Sequence, residues 1–164
     1  VQAAADAAGI GSSEGVTWSA IASTSATAAN TNAVVNTIVF NMAGELLATG
    51  YTDFWDGTHT TGVGIDYNES GVWTNANVWT GSNTDGTGAG SYVLGNSTAV
   101  WGESTFGSGG WISHGTQSTT VNYRLYALSE TLTVPVPEPG TWAMLLAGLG
   151  LVGVAVRRKR QAAI

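Results

Sequence analysis

Residues 134–160 read VPVPEPGTWAMLLAGLGLVGVAVRRKR, and this stretch divides the chain into a folded body and a tail. Pro135, Pro137 and Pro139 remove three backbone donors and favour an extended, polyproline-like spacer. Gly140–Val156 then runs for 17 residues without a charge, about 25 Å as a helix at ~1.5 Å per residue. That is short for a bilayer core of ~30 Å, but local thinning and snorkelling of flanking cations accommodate it. Arg157, Arg158, Lys159 and Arg160 follow and hold their end in the cytoplasm, so that everything before Pro137 lies outside. From the residues alone, a plain C-terminal membrane anchor is the simplest reading.

Working outward, charge is divided as sharply as hydropathy. The 164 residues carry a formal charge of −6, yet Arg124 is the one basic residue in the first 139, against all 11 acidic ones, a net of −10. Such a surface repels phosphate backbones and excludes nucleic acid as a partner. Only 10% of the chain is charged while 43% is hydrophobic, so Ser, Thr, Asn and Gly dress the surface, as in exported β-rich proteins. With no cysteine, a disulfide framework, a thiolate zinc site and a cysteine nucleophile are all excluded. Val1 is not an initiator Met and no signal peptide follows it, so a processed chain or a fragment is expected.

The body reads as α+β. Gln2–Ala8 are strong helix formers stopped by Gly9 and Gly11, and Ala26–Asn36 has the makings of a second short helix. Strands are expected within Val16–Ser23, Val34–Asn41, Glu45–Thr49 and Val121–Leu128. Asp56-Gly57, Asn68–Gly71 and Asn83–Gly90 are turn chemistry. Six of the seven Trp lie in this body; Trp18, Trp55, Trp101 and Trp111 are expected in the core. Trp73 and Trp79 are candidates either for core or for stacking on a ligand.

Two resemblances extend this reading. Pro137-Glu138-Pro139, Trp142, the Gly/Ala/Leu-rich span and the terminal basic cluster resemble the PEP-CTERM sorting signal. In that family a membrane-embedded exosortase reads the motif and releases the protein from its anchor. The resemblance implies an exported protein, inserted in the inner membrane as a precursor and then displayed at the surface or in an exopolysaccharide-rich biofilm matrix. Exosortase is then a transient partner, the membrane a partner through the C-terminal helix, and exopolysaccharide a further expected partner.

The second lies in the body. Gln2–Gly9 (QAAADAAG), Thr17–Thr24 (TWSAIAST), Asn41–Gly57 (NMAGELLATGYTDFWDG), Val78–Thr87 (VWTGSNTDGT) and Tyr123–Ser129 (YRLYALS) are similar to an uncharacterised bacterial family with a C-type-lectin-like fold. Four expected domains result: a lectin-like domain over 1–130, a linker with the sorting motif over 131–139, a transmembrane helix over 140–156, and a basic tail over 157–164. The resemblance also implies an N-terminal truncation, since relatives begin with a strand before the first helix. Relatives carry cysteines where this chain has Val1 and Ala127, and an inner pair near Thr98 and near Ser118 or Thr119.

Resemblance to a lectin fold does not bring lectin activity. The Glu-Pro-Asn loop and Trp-Asn-Asp strand of calcium-dependent lectins are absent, since the sole Glu-Pro is in the tail and Gly102-Glu103 follows Trp101. A Ca²⁺ site would draw on Asp53, Asp56, Asp66 or Glu69, with carbonyls and water completing six to eight oxygens. The default for such loop carboxylates is solvation or turn capping. No carboxylate pair is singled out for glycoside hydrolysis, and no Gly-x-Ser-x-Gly elbow accompanies His59 or His114, so no enzyme is expected. The function expected is binding or structural, with two alternatives: a calcium-assisted carbohydrate-binding module, or a permanently anchored surface domain.

Overall fold

The computed structural model describes residues 1–10 and 15–132. The sorting motif, the expected transmembrane helix and the basic cluster lie outside the described residues. Contacts divide the chain into Val1–Leu132 and Thr133–Ile164.

The first unit mixes short helices with short strands: α1 (Gln2–Ala8), β1 (Trp18–Ala20), α2 (Ala29–Asn32), β2 (Val39–Phe40), β3 (Leu46–Ala48), α3 (Tyr51–Phe54), β4 (Asn77–Trp79), β5 (Thr98–Glu103), β6 (Gly115–Ser118) and β7 (Ala127–Ser129). Single 3-10 turns occupy Gly90–Tyr92 and Gly109–Trp111. Helix α1 ends where expected. Gly9 takes the left-handed conformation at φ 73°, and its N–H reaches back to Asp6 O at 3.1 Å. Among the described residues no helix is long and apolar enough to cross a membrane.

Among the described residues three small antiparallel sheets form, with orders β1-β7, β2-β3 and β4-β5-β6. Trp18 faces Ser129 and Ala20 faces Ala127, so the two ends of the domain meet. In the largest sheet Val78 lies opposite Gly102, and Thr98 opposite Ser118. Most of Val121–Leu128 is not regular strand. Arg124 instead grips β4, donating its N–H to Asn77 O (3.2 Å) and accepting from Trp79 N–H (2.8 Å).

Between the sheets lies a core of Ile21, Val35, Val39, Leu47, Phe54, Trp55, Val78, Trp111, Ile112 and Tyr126. Its centre is aromatic: the Phe54 ring meets Trp55 at 4.9 Å and Trp111 at 5.3 Å between centroids. Of the four Trp expected inside, Trp55 and Trp111 are buried, while Trp18 and Trp101 are only partly covered. Trp79 joins the buried set.

Strand edges are closed by neutral amides. The Gln2 carboxamide accepts from Trp18 N–H at 2.7 Å, and Asn32 Nδ2 donates to Ala20 O at 2.8 Å, covering the outer edge of β1. On β6, Gln117 Oε1 accepts from Ser118 N–H at 3.0 Å, and Val121 N–H donates to Ser118 O. Among the described residues the outer edge of β7 carries no such plug and faces a groove.

Candidate functional site

Asp53, in the first turn of α3, accepts through Oδ2 from Thr49 N–H (2.6 Å), Thr49 Oγ1 (2.8 Å) and Thr60 Oγ1 (2.8 Å). The Thr49 backbone N–H above all, then the Thr60 and Thr49 hydroxyls, hold its carboxyl below the usual range. Asp56 Oδ1 folds back on Thr58 N–H (2.8 Å) and Oγ1 (2.9 Å) in an Asx-type turn. Asp66 Oδ2 accepts from the Trp73 indole N–H at 2.9 Å, and Glu69 sits exposed in the Asn68–Gly71 turn. Asp85 repeats the turn pattern with Thr87, whose hydroxyl and N–H lower its pKa. Among the described residues no group of three or more His, Asp or Glu side chains converges on one point as a metal ion needs.

The two candidate stacking residues part company. Trp73 is exposed, its ring pinned at one edge by Asp66. Trp79 is buried, packed 4.6 Å from the Tyr123 ring, and Tyr123 packs in turn on Trp101 at 5.9 Å.

His59 is not a solvated loop residue but part of the aromatic core. It is buried, lying 4.9 Å from Trp111 and 6.2 Å from Phe54 between ring centroids. Its Nδ1 stands 2.6 Å from Val63 O, which only accepts, so Nδ1 carries the hydrogen. Nε2 is buried without a partner, so protonating it would place an unpaired N–H⁺ among rings. Burial accordingly pushes the His59 pKa down from 6.5, against the opposing pull of Val63 O, Asp56 and Asp53.

A depressed histidine pKa gives stability that is complete above the unfolded value and is lost as pH falls through the folded one. We therefore expect the melting temperature to fall as pH drops below about 6.5. His59→Asn, whose amide keeps the donation to Val63 O without titrating, should flatten that limb of the profile. Melting by circular dichroism between pH 7.5 and 5 checks it; parallel profiles for both proteins would refute the assignment. Asp53 and Asp85 act in a separate, lower window, giving stability above about 3.8 that fades below it.

Sequence reading missed a groove of about 1010 Å³ between the β7 strand and residues 34–42. Ile38, Phe40 and Met42 are exposed along one wall, while Val39 and Asn41 point inward. The signal was present as alternation, but Val34–Asn41 reads equally well as a strand that buries its apolar side.

No curated protein and no solved structure matches the chain. The tail does match a family model, the PEP-CTERM protein-sorting motif, over residues 135–160. It spans the three prolines, the apolar run and all four terminal cations. That match implies a protein sorted by exosortase and exported by way of the membrane to the cell surface or extracellular space.

Proposed function

We propose that the chain is a non-enzymatic surface or extracellular-matrix protein with a binding or structural role, sorted through its tail and associated with biofilm exopolysaccharide. The observation that carries this reading is the sorting-motif match at 135–160, joined to a body (residues 1–132) of net charge −9 with a Ser/Thr/Asn/Gly surface. Pro137, Glu138 and Pro139 serve recognition, Gly140–Val156 inserts as a helix, and Arg157, Arg158, Lys159 and Arg160 keep the far end in the cytoplasm. The body of the precursor then faces away from the cytoplasm.

A C-type-lectin-like fold for the body is supported by the pairing of β1 with β7, which joins the domain's two ends. It is supported further by Thr98 and Ser118, which face each other across two strands, since the resembling family has an inner cysteine pair near Thr98 and near Ser118 or Thr119. Exposed Trp73, held by Asp66, offers polysaccharide a stacking face that buried Trp79 does not. The engagement of Asp53, Asp56 and Asp85 with neighbouring Thr side chains supports turn-building rather than catalysis.

Glu138 is the residue to change first, a lone carboxylate between two rigid prolines. Glu138→Ala is expected to leave membrane insertion intact and block release. Intact mass of the protein from medium and membrane reads this out: wild type should appear shortened by roughly its last 25 residues, the variant at full mass in the membrane. Equal release of both would refute the recognition role. Full-length wild type at the surface would instead identify a permanent anchor.

A further inference from the structure

The 1010 Å³ groove has one wall made of polypeptide edge. Ile21 N–H donates to Tyr126 O, and Glu130 N–H to Thr17 O, so Tyr126, Leu128 and Glu130 turn their backbone groups toward β1. Arg124 turns the same way, toward β4. Alternation then aims the N–H and C=O groups of Leu125, Ala127 and Ser129 at the other side, along the groove. Among the described residues these groups have no backbone or side-chain partner, whereas the β1 and β6 edges are plugged by amides. Across the groove stand Ile38, Phe40 and Met42, exposed at every second position. A period of two is the side-chain period of a strand.

We propose that this groove binds an extended strand from another polypeptide, which adds to the free edge of β7 by backbone hydrogen bonds. The strand's alternate side chains are apolar and lie against Ile38, Phe40 and Met42. About six residues fit the edge from Leu125 to Thr131 at ~3.3 Å per residue. Charge decides the rest of its character. Glu69 and Glu130 line the groove with Arg124, in a body (residues 1–132) of net charge −9, so the partner strand lacks acidic residues and carries basic flanks. A second copy is a poor occupant, because a twofold contact brings the same concave and acidic face against itself.

The test uses the full chain in lipid nanodiscs and the peptide acetyl-Lys-Val-Thr-Val-Thr-Val-Lys-amide. Its control is the same peptide N-methylated at the five central residues. Saturable binding of the first is expected, with the control roughly tenfold weaker or more, the size set by losing about two edge hydrogen bonds. Phe40→Lys, at an exposed position and so compatible with folding, should weaken the first peptide by a similar factor. Hydrogen exchange over residues 123–131, read by mass spectrometry, should slow when the peptide is added. Absence of binding into the millimolar range overturns the proposal. Equal affinity for both peptides does so too, since the groove would then take apolar matter without pairing a strand. Amides of Leu125, Ala127 and Ser129 already protected without peptide would show the edge paired with a second copy, which also overturns it.

Discussion

Gly102→Ala is expected to abolish cooperative folding of the body. Gly102 lies inside β5, opposite Val78, where a strand ordinarily prefers a side chain. A Cβ built there overlaps the backbone carbonyl of Trp111 and lies 3.0 Å from Ile112 N. That carbonyl has no freedom to retreat. It accepts the Tyr126 hydroxyl at 3.1 Å, and the Trp111 side chain is fully buried among Phe54, Trp55 and His59. The β5 strand must therefore move away from the 3-10 turn at Gly109–Trp111, opening the core between them. A cost of about 4 kcal/mol or more follows, a large part of the ~5–15 kcal/mol by which domains are stable. Thermal melting should show a lost or strongly lowered transition. Gly50→Ala is the matched control: its φ of 162° is ordinary extended backbone, and a Cβ there meets nothing within 4 Å. A Gly102→Ala melt within a few degrees of that control would refute the close approach.

The second large effect has the opposite sign. Thr98→Cys with Ser118→Cys is expected to close a disulfide and raise stability by about 3 kcal/mol, the chain-entropy value for a loop of roughly 20 residues. Register makes the bond feasible. Thr119 N–H donates to Ser97 O at 3.0 Å, so that pair is hydrogen-bonded and the next, Thr98 with Ser118, is not. Cα atoms of non-hydrogen-bonded pairs lie ~4.5 Å apart, inside the range disulfides accept. Both side chains share one face, and the Ser118 position is exposed to oxidant. Oxidised protein should lose two thiols and melt on the order of 10 °C higher than its reduced form. Persistent free thiols, or an oxidised form no more stable than the reduced one, would place the strands in another register.

How much of this was legible in the sequence depends on the range of the interactions. Helix α1 was readable because helix formers and a glycine stop are local, and Gly9 ends it. The sorting motif was readable because its parts follow one another in a fixed order within one short stretch, 135–160. Strands were legible as regions but not as lengths. Only Val39–Phe40 of Val34–Asn41 pairs, and only Ala127 and Leu128 of Val121–Leu128 lie in a ladder, which runs on to Ser129, since the partners are chosen by contacts far away in the chain. The burial of His59 was hidden for the same reason. Its neighbour Trp111 lies 52 residues further along the chain (111 − 59), and its own flanks, Thr58 and Thr60, read as surface. Asp66 and Trp73, seven residues apart, meet across a turn whose Asn68 side chain accepts from Ser70 and Val72. Each of those residues was noticed, but their pairing was not.

The amide plugs on β1 and β6 have a colloidal consequence. Proteins commonly protect strand edges with lysine, and that protection weakens as salt screens it or pH removes it. Gln2, Asn32 and Gln117 protect by occupying hydrogen-bonding groups, which neither ionic strength nor proton concentration alters. In a protein with one lysine in its whole sequence, these two edges thereby resist cross-β growth in brine and in acid alike.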